Sequence, residues 1–250
     1  MIPAVRHQHI LRSLHEQDGQ TVASLASSLN VSPSTIRRDL STMEDHGILL
    51  RTFGGAVLAK ESDDPLHVTH QVNSEAKAAI ATVGTHLVSD GMTVILDVGS
   101  TVLALAEQLR GRPLTIVTAS LPVFALFARE PRARILLLGG GYRPDYECTT
   151  GHMTVTALRD VHADIAFLGC SGVAPDGTVR DNTSDQVPVK RAIIASAASA
   201  VLLADTTKFP GQGTYTVADA RALTHVVTDS PVPTSLRKSL TDSGTDVLLT

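Results

Sequence analysis

An α/β chain in two parts is expected: a small N-terminal unit of three helices and a two-stranded wing, followed by a larger doubly wound, mostly parallel sheet. Three observations point there. Over the first sixty residues, apolar positions recur at helical spacing and then give way to two apolar runs around Gly54-Gly55. Beyond residue 90, seven short β-rich runs alternate with helix-sized ones. With 250 residues, 43% of them hydrophobic and 18% charged, the chain is long enough for two cores.

In the N-terminal part, Ile10, Leu11 and Leu14 form a short apolar stripe that stops at Gln17-Asp18-Gly19. Val22, Leu25, Ala26 and Leu29 then fall at i, i+3, i+4 and i+7 behind Thr21, a residue type that caps helix N-termini. A third helix opens at Ser32-Pro33, with Ser32 as cap and Pro33 at the first helical position. Within it Ile36, Leu40 and Met43 share one face. Ser34, Arg38, Ser41 and Asp45 project from the opposite face, Arg37 lies on the flank, and Gly47 closes the helix. Residues 48–58 read as two strands about the Gly-Gly turn.

Charge is divided unevenly. Residues 1–60 carry Arg6, Arg12, Arg37, Arg38, Arg51 and Lys60 against Glu16, Asp18, Asp39, Glu44 and Asp45, a balance of +1, while the whole chain stands at −4. No basic tail exists, so contact with nucleic acid has to be local and directed. The apolar runs are strand-sized, far short of the roughly 20 residues of a membrane helix, and MIPAVRHQHI does not resemble a signal peptide. A cytoplasmic protein is expected. Cys148 and Cys170 lie 22 positions apart with no CxxC, and His67 and His70 have no further ligand at helical spacing, so neither a disulfide, a metal nor a cofactor is expected.

A short helix, a tight turn and a second helix with a polar outer face make a helix-turn-helix, and the following strand pair supplies a wing. Arginine suits the reading helix because its planar fork holds a guanine edge or a phosphate oxygen in two hydrogen bonds. Ser32, Ser34, Thr35, Arg37, Arg38, Ser41 and Arg51 are therefore the candidate DNA contacts. The competing reading pairs Arg37 and Arg38 with Asp39 and Glu44 as a solvated surface; the helix-turn-helix context favours the first. Val31-Ser32-x-x-Thr35-Ile36-Arg37-Arg38-Asp39-Leu40, then Leu49-x-Arg51 and Gly54-Gly55-Ala56-Val57, resemble the DeoR-type bacterial transcriptional regulators, with Phe53 where that pattern commonly has His. The resemblance implies binding to a double-stranded operator by a symmetric oligomer, a homodimer or homotetramer.

Residues 59–73 lack periodicity and contain Pro65, so they form a linker between a DNA-binding domain at 1–58 and an effector-sensing, oligomerising domain at 74–250. A helix over 74–89 comes first. Strands are expected at 93–96, 115–117, 135–138, 165–168, 201–204, 225–228 and 246–249, with the clearest helices at 103–109, 123–129, 154–158, 189–198 and 234–240.

Ligands in such sheets bind beyond the carboxyl ends of the strands. Asp97, Gly99, Ser100 and Thr101 follow the first run directly before a helix: a glycine for close approach, two hydroxyls and free helix N–H groups, which together make a phosphate cradle. Thr118 and Ser120, Gly139 and Gly140, Gly169 and Ser171, and Lys208 after Asp205 stand at other strand ends. None follows GxGxxG, so a dinucleotide is not supported. The set resembles the sensor domain of the DeoR-type regulators, similar in fold to ribose-5-phosphate isomerase. The match runs through Asp97-x-Gly99-Ser100-Thr101, Leu138-Gly139-Gly140, Gly169-x-Ser171-Gly172, Val189-Lys190-Arg191 and Asp205 to Phe209. Ala119 stands where that family has Asn, and Pro188 where an acidic residue often precedes VKR. The resemblance implies a phosphorylated sugar or related metabolite as effector, with Lys190 joining the site, and hence a ligand-controlled repressor. The alternative is a sugar-phosphate isomerase with an accessory DNA-binding module, using Asp97, Asp181 or Asp185 as base. Ser171-Gly172 occupies the place where the isomerase likeness calls for acids, which favours a regulator that is not an enzyme.

Overall fold

Two hydroxyls start helices in the N-terminal unit of the computed structural model, which describes residues 3–17, 20–45, 49–52, 54–58, 66–69 and 72–250. After α1 (Pro3–Gln17) and a two-residue strand β1 (Gln20–Thr21), the Thr21 hydroxyl accepts from the Ser24 amide and α2 (Val22–Ser28) begins. Ser32 Oγ accepts from the Thr35 amide at 3.2 Å, and α3 (Pro33–Asp45) begins. The apolar stripes meet in one core of Ile10, Leu14, Leu25, Ile36, Leu40 and Met43. β2 (Leu49–Thr52) and β3 (Gly55–Leu58) pair antiparallel as the wing, with Gly54 turning at φ +90. The wing has a third strand that periodicity missed: β1 pairs with β3. Gly55 is required there, since a Cβ would collide with the Gln20 carbonyl. The expected roles of Gly47 and Phe53, the Asp45 side chain, and the His67 and His70 side chains lie outside the described residues.

The chain divides into two compact units, Met1–Val68 and Thr69–Thr250. Within residues 59–73, expected as the linker, the described residues include a helical turn, α4 (Leu66–Thr69). The next helix, α5 (Ser74–Thr85), ends four residues earlier than its apolar pattern suggests, because the His86, Leu87 and Val88 amides bond three residues back and tighten the chain out of the helix.

The second unit then runs β4 (Thr93–Leu96), α6 (Ser100–Leu109), β5 (Thr115–Thr118), α7 (Leu121–Phe127) and β6 (Arg134–Leu137). A hairpin of β7 (Gly141–Arg143) and β8 (Cys148–Thr150) leads into α8 (His152–Arg159) and β9 (Ala163–Leu168). There follow β10 (Gly172–Val173), β11 (Thr178–Asp181), α9 (Gln186–Ala195), β12 (Ala197–Leu203) and β13 (Tyr215–Asp219). The unit finishes with β14 (His225–Thr228), α10 (Thr234–Asp242) and β15 (Asp246–Leu249).

All seven expected strands form one parallel sheet in the order β15-β14-β12-β9-β4-β5-β6. One face is packed by α5, α6 and α7 through Ile80, Leu105 and Phe127, the other by α8, α9 and α10 through Leu158, Ile193 and Leu240. Burial on both faces is why the strands read as unbroken apolar runs. Two antiparallel additions were not expected: the β7-β8 hairpin and a sheet in the order β10-β11-β13. The expected helix at 189–198 also ends at Ala195, because residues from Ala197 onward pair with β9.

Candidate functional site

On α3, burial separates the faces as periodicity implies. Ile36, Leu40 and Met43 are buried, while Ser32, Ser34, Arg37 and Arg38 are exposed, Thr35 and Ser41 half-buried. Ser32 Oγ shares hydrogen bonds of 2.8 Å with both Ser34 Oγ and Thr35 Oγ1, so three hydroxyls cluster at the helix start. The acids that compete for the arginines are engaged elsewhere. Asp39 is buried and accepts from Arg6 Nε at 2.5 Å and Arg6 Nη2 at 2.9 Å, with His7 Nε2 at 3.1 Å. Burial pushes its carboxyl up, but the Arg6 and His7 bonds more than reverse that and hold it below the usual range. Glu44 accepts from the Arg51 amide at 3.0 Å, and its carboxylate lies 3.7 Å from the Arg51 guanidinium on the wing. Among the described residues, neither Arg37 nor Arg38 forms an ion pair with Asp39 or Glu44. Between α1 and α3 a concavity of about 410 Å³ is lined by Arg6, His7, Ser34, Thr35, Arg38, Asp39 and Thr42, with Arg6 and Asp39 paired to each other.

In the second unit the chain leaves β4 toward β5 and β6, then crosses back to lay β9 on the other side of β4. The carboxyl ends of β4 and β9 are therefore the topological switch point, where a crevice opens in sheets of this kind. Asp97 follows β4 and Gly169 follows β9, and the Gly169 amide donates to Asp97 Oδ2 at 3.2 Å. Lys190, on the first turns of α9, places its ammonium 2.5 Å from Asp97 Oδ2, 2.9 Å from the Gly169 carbonyl and 3.5 Å from Asp181 Oδ2. Burial would push this lysine down; Asp97 and Asp181 more than reverse it, and the ammonium stays charged. It donates to Asp97 and to the Gly169 carbonyl and forms an ion pair with Asp181. Lys190 therefore ties together the loops that follow β4 and β9.

The segment expected to cradle a phosphate starts two residues after Asp97. Gly99, at φ +111, is the N-cap of α6 and has no side chain to satisfy the first amides, beside the buried Ser100 and Thr101. Other expected residues serve the backbone. Thr118 Oγ1 donates to the Leu96 carbonyl at 2.7 Å and accepts from the Ser120 amide, while Ser120 caps α7. The Gly139 carbonyl accepts from Thr154, and Gly140 packs so closely on Thr150 and Thr154 that no Cβ would fit. Ser171 Oγ accepts from the Asn182 amide. Lys208 ends a 3-10 turn that Asp205 caps through the Thr207 amide. Neither Asp97 nor Asp181 is a carboxylate open to act as a base, since both face Lys190.

Sequence reasoning missed three groups beside these loops. Lys77 of α5 is buried and donates to the Thr69 carbonyl at 2.5 Å. Arg143 pairs with Asp185 at 2.9 Å. Gln186 and Cys148 meet at 3.1 Å. The Pro144-Asp145 turn between Tyr142-Arg143 and Cys148-Thr149 could have marked the hairpin that carries Arg143 and Cys148, though not their partners Asp185 and Gln186. The thiols of Cys148 and Cys170 are pushed up by burial to about 11 and about 12 and stay protonated.

Burial pushes Lys77 down to about 8, against the pull of nearby Asp205 and with the repulsion of Lys208. The unfolded lysine holds its proton to about 10.4, so between pH 8 and 10 the unfolded state binds more protons and stability rises with pH. Over that interval wild type is expected to gain up to about 3 kcal/mol relative to Lys77→Met in urea unfolding. The two thiols oppose the gain above about pH 8.5 equally in both proteins. Parallel pH profiles would refute this.

Comparison with known proteins agrees with this geometry in both units. The DeoR-like helix-turn-helix domain matches residues 6–62, and the DeoR C-terminal sensor domain matches residues 72–230. The HTH-type transcriptional regulator GolR of Listeria innocua is 31% identical over 99% of this chain and 98% of its own length. The glycerol-3-phosphate regulon repressor of Escherichia coli is 31% identical over 95% of each. Among solved structures, ribose 5-phosphate isomerase A of Methanocaldococcus jannaschii aligns with 54% of each chain at 19% identity and a TM-score of 0.40. Two matched domains in the same order, and relatives similar from end to end that are regulators rather than enzymes, place this chain in the DeoR family of DNA-binding transcriptional regulators.

Proposed function

We propose that this regulator is a repressor whose α3 reads an operator half-site and whose grip is released by a phosphorylated sugar or related metabolite. The observation that carries the reading is the pair of arginines on α3, exposed while the neighbouring Asp39 and Glu44 are bound elsewhere. Ser32, Ser34, Thr35, Ser41 and Arg51 complete the DNA contact, and residues 59–73 join it to the sensor. Gly99, Ser100 and Thr101 take the phosphate at the start of α6, with Lys208 as a second cation, while Asp97, Lys190 and Gly169 hold the loops in place. Support for the effector class comes from a relative whose name attaches it to a glycerol-3-phosphate regulon. Because each winged module reads one half-site, the chain acts as a homodimer or homotetramer on a repeated site. No helix among the described residues is long and apolar enough to cross a membrane, consistent with action in the cytoplasm.

A ligand that binds the DNA-competent and DNA-incompetent arrangements equally shifts nothing, so the effector must prefer one of them. The test is operator affinity at fixed salt, with and without a panel of triose, pentose and hexose phosphates. At least one ester is expected to weaken binding by fivefold or more, within the range of ordinary allosteric coupling. Unchanged affinity across the panel would remove the switch.

A further inference from the structure

Gln186 is the first residue of α9 and only 1% exposed, yet its Oε1 has no hydrogen-bond partner. At its other end, Nε2 lies 3.1 Å from Cys148 Sγ. A protonated thiol both donates and accepts, so turning the amide over only moves the orphan from Oε1 to Nε2. Either way one end of a fully buried amide is left unpaired, which native interiors rarely tolerate without a functional reason. The location supplies one. Cys148 packs with Val98 and Tyr146, and Val98 stands between Asp97 and Gly99 in the cradle loop. The Tyr146 hydroxyl accepts from Thr183 ahead of α9, and Thr150 Oγ1 donates to the Asp185 carbonyl. The β7-β8 hairpin and the first residue of α9 therefore form a wall beside the cradle, and Gln186 Oε1 is a buried side-chain atom in it without a hydrogen-bond partner.

We propose that Gln186 is a specificity-determining residue of the effector site, its buried amide pairing with one hydroxyl of the phosphorylated sugar whose phosphate sits at the start of α6. This rests on the phosphorylated effector proposed above. A neutral amide is suited to discrimination: it pairs with a sugar hydroxyl, and an analogue lacking that hydroxyl leaves the buried group unpaired again. Arg143, held by Asp185, keeps the wall polar on its solvent side.

The experiment compares the full-length chain with Gln186→Met, using calorimetric titration and thermal shift against glycerol 3-phosphate, ribose 5-phosphate and the hexose phosphates. It adds inorganic phosphate and the singly deoxygenated analogue at each hydroxyl of whichever ester binds. The bound ester is expected to lose about tenfold in affinity for the variant. One deoxy analogue should show the same loss on wild type and no further loss on the variant, and inorganic phosphate should bind both proteins alike. A variant that binds the ester as wild type does, or a wild type indifferent to every deoxygenation, overturns the role of Gln186 and leaves the phosphorylated effector standing. A wild type that responds to no ester overturns the effector reading itself and this role with it. Should Gln186→Met lack the wild-type circular dichroism spectrum, Gln186→Leu takes its place, and the wild-type deoxy series still reads the bond.

Discussion

Lys190→Met is expected to destabilise the sensor unit by about 3–5 kcal/mol, the largest effect of any single change considered. The substitution keeps the length of the stem and removes one charge, leaving Asp97 and Asp181 as two carboxylates within a few ångströms of the same buried point. Neither has water to turn to: the side chains are 1% and 5% exposed. Two like charges in one dry site force a proton onto the pair, so its folded pKa rises above the unfolded value. A raised carboxyl pKa contributes stability that is fully present below about pH 4 and is lost as pH climbs through the folded value. The variant should therefore be more stable at pH 5 than at pH 8. Urea unfolding followed by circular dichroism reads both the loss and the slope; a wild-type midpoint at both pH values would refute the assignment of Lys190 as the residue that joins the β4 and β9 loops.

Arg38→Ala comes next, and its effect falls on binding rather than folding. The side chain is exposed, lines the recess between α1 and α3 and makes no ion pair among the described residues, so its loss should change stability by no more than about 0.5 kcal/mol. Operator affinity should fall by about 1–3 kcal/mol, roughly ten- to a hundredfold in Kd at constant salt. Titrating salt separates the two ways of losing it. A phosphate contact lowers the slope of log K against log salt by about one for every sequence, whereas a base contact relaxes specificity at one position and leaves the slope in place. Full operator affinity in Arg38→Ala would overturn the choice of this face.

Local chemistry was legible in the sequence, and contacts between distant residues were not. Thr21 and Ser32 announce their helices because a cap acts on amides two or three residues away. The seven parallel strands could be read because burial on both faces makes their runs apolar throughout. The start of β12 could not, since Ala-Ser-Ala-Ala-Ser-Ala at 195–200 suits helix and strand alike until β9 pairs with it. The β7-β8 hairpin escaped because three-residue strands carry too little alternation to register. The site divides the same way. Asp97, Gly99, Ser100 and Thr101 stood out as a contiguous motif. The partnership of Lys190 with Asp97 spans 93 positions, and that of Gln186 with Cys148 spans 38, distances at which no local pattern gives warning. Asp39 shows the same limit, because its neighbours in the sequence are Arg37 and Arg38 and its partner is Arg6.

That last bond bears on how the operator is recognised. Because Asp39 is clamped to the opposite helix, α3 cannot swivel about its long axis, and the azimuth at which its two guanidinium forks leave the surface is set before any duplex arrives. Recognition then forgoes the rotational entropy that a loosely seated rod would surrender on docking. On the proposed reading, the aspartate that closes the Arg-Arg-Asp triplet acts through Arg6, by fixing the direction in which the pair ahead of it faces the duplex.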